Sequence, residues 1–229
     1  MGVTVPVTYP LAQVDWHPAY RIVPTRFPAI NLFDRVASPD DFDALYALEA
    51  MTNDRIRDEV GAIELVPHAE RLYGPGSGPI MAAFTHLNPA GSRFSDGSFG
   101  VFYAARDKAA AVAETRYHQA RFLAATSEPP IQLQMRVYHV EVSGRLHDLR
   151  DMQKDHPVYD PASYAASQAL ARELRAQGSN GVTYRSVRME GRECVAAFRT
   201  LPLSNCRHAS QMLYQWDGAQ FSDVYEKVM

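Results

Sequence analysis

A chain of 229 residues, 46% hydrophobic and 21% charged, has the composition of a globular protein with a real core. Its length fits one mixed fold. A net charge of -3 leaves no basic excess to neutralise a phosphate backbone, which excludes a general nucleic-acid binder but leaves room for a local basic pocket.

No apolar run reaches bilayer length, and residues 1–11 lack the basic-then-apolar layout of a signal peptide. Two cysteines, Cys194 and Cys206, are too few for a disulfide scaffold. The expectation is a cytoplasmic protein that meets no membrane.

Residues 1–30 carry Pro6, Pro10, Trp16, Pro18, Pro24 and Pro28, a stretch expected to wrap a surface rather than form a regular element. Ser38-Pro39-Asp40-Asp41 then supplies a helix start, with a Ser cap, Pro in the first turn and acids at the positive end of the dipole. That helix is expected to run through Phe42, Leu45, Tyr46, Leu48, Glu49 and Thr52 towards Val60, with Gly61 stopping it. Gly-Pro-Gly-Ser-Gly at 74–78 is a loop. It lacks the Lys-Ser/Thr ending of a phosphate cradle, so it reads as a flexible turn.

Residues 99–104 read as a short buried strand, and Asp107 caps an Ala-rich helix over 108–125. From 131 to 142, Ile131, Leu133, Met135 and Val137 alternate with Gln132, Gln134, Arg136 and Tyr138, a half-buried strand. Asp160-Pro161 opens another helix that stops at Gln177-Gly178. Residues 181–186 and 193–198 form paired strands around a turn near Gly191. Residues 212–216 and 220–225 form a hairpin, since Asp217-Gly218 suits a tight turn. Strands outnumber helices and the two intermix, with no repeat and no long linker, which gives one α+β domain over 1–229.

Polar candidates gather in the middle of the chain. Arg93 lies among turn-formers, where its fork of donors can meet a bidentate anion; Tyr103 ends a strand with a ring able to stack; Glu114 sits among Ala110, Ala111, Val112 and Ala113. Taken singly, each has a blander account: a solvated loop Arg, a core Tyr, a surface Glu paired with His118 one turn on. Together they suit a nucleotide site. Ser186 alone reads as a strand hydroxyl, and Arg185, Arg188 and Arg192 as a solvated hairpin. The His and Cys positions lack metal-ligand spacing, so no metal is expected.

These motifs, in this order, resemble the RES-domain toxins, and in particular their longer ParT-type branch. The family's early Tyr-Arg is met by Tyr20-Arg21. Its Gly-Gly-Arg-Trp-Asn is met by Gly91-Ser92-Arg93-Phe94-Ser95, and its Val-Tyr-Leu-Ala strand by Val101-Phe102-Tyr103-Ala104, followed by the helix with Glu114. The late Ser motif is Tyr184-Arg185-Ser186-Val187. Two departures stand out. Ile22 replaces an aromatic after the first Arg, which shifts ring stacking to Tyr103 or Tyr20, and the Arg93 loop is Gly-Ser-Arg-Phe-Ser.

The resemblance implies a fold similar to bacterial ADP-ribosyltransferase toxins, with small central β-sheets, flanking helices and residues 1–60 as an N-terminal extension and helix packed on the rest. It implies NAD+ as substrate, cleaved at the nicotinamide–ribose bond. The catalytic residues would be Glu114, Arg21 and Ser186, and the binding residues Arg21, Arg93, Tyr103, Tyr20 and Ser186. An Xre-type antitoxin would occlude the cleft. By the same resemblance the ADP-ribose acceptor would be a protein, with phosphoribosyl pyrophosphate synthetase favoured, or else water or phosphate. A non-enzymatic docking module and a metal-dependent pyrophosphate hydrolase using Glu114 are the rivals.

Overall fold

A computed structural model describes residues 9–27, 32–36, 38–51 and 60–227. Its seven strands are β1 (Leu11–Pro24), β2 (Phe102–Ala105), β3 (Ile131–Asp148), β4 (Gly181–Arg185), β5 (Glu193–Ala197), β6 (Leu203–Trp216) and β7 (Phe221–Lys227). They form one mixed sheet in the order β1-β2-β5-β4-β3-β6-β7. Because β3 also pairs with β1, the strands β1, β2, β5, β4 and β3 close on themselves, while β6 and β7 extend β3 as an antiparallel wing. The helices among the described residues are α1 (Pro39–Ala50), α2 (Gly78–Thr85), α3 (Lys108–Ala125) and α4 (Ala165–Ala176). The outcome is a mixed α/β domain, as the intermixed pattern predicts. No helix among the described residues is long and apolar enough to cross a membrane.

The proline-rich start is corrected by the structure. Residues 11–24 are a regular strand, paired antiparallel with β3 from Leu11↔His147 to Pro24↔Met135. A register shift between Trp16 and Ala19 takes up Pro18 at an irregularity, where a missing N–H is tolerated. Ser38 caps α1 by accepting from the Asp41 amide, as the motif predicts. The expected continuation through Thr52 lies outside the described residues. The 74–78 glycines lead into α2, an element without a signal in the turn chemistry. The loop is held rather than loose, since the Ser77 hydroxyl donates to Gly74 O at 2.6 Å and the Gly78 amide donates to Asp34 Oδ1.

Two apolar layers cover the sheet's faces. One joins Phe33, Phe42, Ile80 and Met81 to Phe102, Val140 and Val195. The other joins Ala111, Leu170 and Leu174 to Val137, Val182, Tyr214 and Trp216. Each large side chain buried there is worth about 2 kcal/mol in removed apolar surface. Cys194 and Cys206 are free, buried and in opposite layers.

Helix α3 begins at Asp107, whose carboxylate accepts from the Ala110 amide. It packs against β1 and β2 and reaches the β6–β7 wing through side chains, with Thr115 Oγ1 meeting Tyr214 Oη at 2.8 Å and Arg116 donating to Phe221 O. Buried Ala110 and Ala111 let the helix approach closely. That approach sets where Glu114 points. The second long helix starts later than Asp160-Pro161 suggests: Asp160 Oδ1 accepts from Ala162 and Ser163 in a turn, and α4 begins at Ala165.

Candidate active site

Strands β1 and β2 pair at one position, Tyr20↔Ala105, and part beyond it. The wedge between them opens into a cleft of about 430 Å³, walled by β1, the 91–93 loop, β2, α3 and the 162–164 segment. Tyr20, Arg21, Arg93, Tyr103 and Glu114 all line it. Five of the six sequence candidates are therefore brought together, from elements far apart in the chain.

Ser186, the sixth, lies just behind. It is 8% exposed, and its hydroxyl donates to Glu114 Oε1 at 2.7 Å. The Val187 amide donates to the same oxygen at 3.2 Å. Ser186 Oγ in turn accepts from the amides of Arg188 and Met189, which fixes the turn after β4. The carboxylate is thus held through one oxygen and leaves the other for the cleft. The blander account, a surface Glu114 paired with His118, gives way to this arrangement, and the His118 ring packs on Tyr117 and Tyr164.

Tyr103 uses its hydroxyl to hold the 91–95 loop: Oη meets Ser92 Oγ at 2.8 Å and accepts from the Phe94 amide at 2.9 Å. Burial pushes its pKa up to about 12, so it stays protonated. Gln168 on α4 adds two bonds, from Nε2 to Ser92 O and Ser95 O. Gly91 has a φ of +71°, and a Cβ there would stand 2.7 Å from Ser95 O, so the loop's tightness needs glycine.

The picture of Arg93 as a solvated loop residue is overturned. It is 5% exposed, its Nη1 donates to Val158 O and Asp160 O, and its guanidinium stacks 4.7 Å from the Tyr164 ring centre. Arg21 lies over the Phe102 ring at 4.4 Å and donates from Nη1 to Tyr103 O across the gap between β1 and β2. It spans the floor of the wedge. The basic run is also corrected at two of its three positions. Arg185 packs over Tyr159 and bonds Met152 O, while Arg188 packs over Tyr117 and bonds Pro161 O. Only Arg192 is exposed, 3.8 Å from Asp107.

Residues absent from the sequence candidates also line the cleft, including Asn88, Arg121, Tyr164 and Tyr184. Tyr164 carries no signal in the sequence, because Asp160-Pro161 reads as the opening of its helix, whereas the structure places Tyr164 at the actual start, without a capping bond. Cys194 also borders the cleft, and burial holds its thiol well above the usual range, so it is no nucleophile.

Comparison with known proteins adds three findings. The RES domain family model matches residues 68–217. Uncharacterized protein y4oC of Sinorhizobium fredii (strain NBRC 101917 / NGR234) is 31% identical over 208 residues, which cover 90% of this chain and 86% of that protein. Among solved structures, the M. tuberculosis MbcT–MbcA toxin–antitoxin complex matches with a TM-score of 0.45 and 11% identity, over 94% of this chain and 86% of that one.

Proposed function

For this chain, which belongs to the RES-domain family, we propose an NAD+-cleaving toxin whose cleft holds the dinucleotide and breaks the nicotinamide–ribose bond. The observation that carries the reading is Glu114, held through one oxygen by Ser186 and Val187 on the wall of a cleft lined by three arginines.

NAD+ already has a good leaving group, so the barrier lies in the positive charge that grows on the ribose as the bond breaks. The electron pair of the C1′–N bond leaves with nicotinamide. The acceptor then bonds to C1′ and releases its proton. A fixed carboxylate beside the sugar stabilises that cation without reorganising when it forms. Ser186 and the Val187 amide hold the carboxylate in place, which makes Ser186 a positioning residue. Tyr103 and Tyr20 offer ring faces to the nicotinamide. Arg21 and Arg93 set a positive potential for the diphosphate, although much of each guanidinium already serves the wall.

Transfer of ADP-ribose to a protein is the favoured outcome, by likeness to ParT-type members, with phosphoribosyl pyrophosphate synthetase as target. Hydrolysis or phosphorolysis uses the same first step. An Xre-type antitoxin that covers the cleft is the matching partner. The test is Glu114→Gln, which keeps the shape and removes the charge. NAD+ consumption should fall about a hundredfold or more, and an unchanged rate overturns the reading. Labelled NAD+ incubated with cell extract separates the acceptors: a discrete labelled protein band supports transfer, while free ADP-ribose alone points to hydrolysis.

A further inference from the structure

Buried polar atoms in folded proteins almost always have partners, so each exception calls for an explanation. Among the described residues four buried side-chain atoms have none: Tyr73 Oη, Gln119 Oε1, Tyr164 Oη and Arg188 Nε. Of these residues, only Tyr164 lines the Glu114 cleft. Its ring is fixed from two sides, by the Arg93 guanidinium 4.7 Å from its centre and by the His118 ring at 6.4 Å. The ring is thus positioned, while the hydroxyl is unpartnered and covered in the unliganded fold, so a ligand oxygen meets it only by displacing what covers it.

The charge around it indicates what is missing. Arg21, Arg93 and Arg121 line the cleft, none is paired with a carboxylate among the described residues, and Glu114 is the one carboxylate on the wall. Guanidinium groups without a carboxylate partner favour an anion in the cleft, and an O–H donated to an anionic oxygen makes a charge-assisted hydrogen bond, stronger than one between neutral groups. We infer that Tyr164 is a binding residue whose hydroxyl donates to a phosphate oxygen of the ligand's diphosphate. The inference rests on the reading of the cleft as a nucleotide site. It assigns a specific contact to a hydroxyl that has no other partner among the described residues.

The experiment is Tyr164→Phe in the full chain, which deletes one oxygen and keeps the ring on Arg93. Calorimetric titration with ADP-ribose and ADP should show binding about tenfold weaker than wild type, the loss expected for one hydrogen bond to a charged group. Nicotinamide riboside, which has no phosphate, should bind within about twofold of wild type. The melting temperature should hold or rise, because an orphaned hydroxyl is removed.

Equal affinity for ADP-ribose, a lowered melting temperature, or no binding of either probe by the wild type overturns the assignment. If the wild type consumes NAD+ and Tyr164→Phe matches it in binding and rate, the contact is wrong and the NAD+ reading stands. If both phosphate probes bind in a Tyr164-dependent way while NAD+ stays intact, the contact is right and the cleavage reading falls.

Discussion

The Ser186 hydroxyl donates to Glu114 Oε1 at 2.7 Å, while its oxygen accepts the amides of Arg188 and Met189. One small side chain thereby fixes both a turn and the orientation of the carboxylate. Ser186→Ala should lower the turnover number for NAD+ about tenfold, with little change in KM, since the lost bond orients rather than binds. The drop should be smaller than for Glu114→Gln. Stability should fall by about 1–2 kcal/mol, because two amides lose their acceptor. Steady-state kinetics and urea denaturation read the two effects separately. A larger effect on KM than on turnover would place Ser186 in direct contact with substrate.

Tyr103 couples the strand beside the cleft to the 91–95 loop through Ser92 and the Phe94 amide. Tyr103→Phe keeps the ring and leaves that amide without its acceptor. The expected loss is about 1–3 kcal/mol of unfolding free energy, with weaker NAD+ binding as the loop loosens. Full retention of stability would mean that water takes over both bonds.

Much of this arrangement is legible in the sequence, and the remainder follows a physical pattern. Helix α3 and the β6–β7 hairpin are written in local chemistry: the Asp107 cap, the alanines, and Asp217-Gly218, whose turn closes with the Asp217 amide donating to Gln220 O. Strand β1 is not, because its prolines argue against a strand while its stability comes from β3, more than a hundred residues away. Arg93 misleads in the same way. Its carbonyl partners lie 65 and 67 residues ahead, so nothing near it announces burial. Glu114 and Ser186 meet across 72 residues, and the family resemblance rather than spacing brought them together.

Arg93 gives a test of what the buried guanidinium does. Arg93→Lys keeps the charge but cannot bridge Val158 O and Asp160 O while stacking on Tyr164. Unfolding free energy should fall by about 2–3 kcal/mol, and ADP-ribose affinity should fall with it, since the 157–164 segment shares the cleft wall. A loss under about 0.5 kcal/mol would mean that the two carbonyl bonds are readily replaced by water.

Stability should also depend on pH through Asp148, at the end of β3. Hydrogen bonds from Arg150 hold its carboxyl below the usual carboxylate range, and Arg150 reaches on to Glu193 of β5. A carboxyl whose folded pKa is lowered binds protons more weakly folded than unfolded, so its contribution is complete above the unfolded value of about 4. It is lost as pH falls from there through the lowered folded value. The pair is mostly shielded, with side-chain exposures of 27% for Arg150 and 16% for Asp148, and a contribution of about 1 kcal/mol is expected at neutral pH. Asp148→Asn removes the titrating group. Urea-unfolding curves of wild type and Asp148→Asn should therefore separate by about that amount at pH 7 and converge towards pH 3. A gap that stays constant across this range would show that Asp148 acts through packing rather than charge.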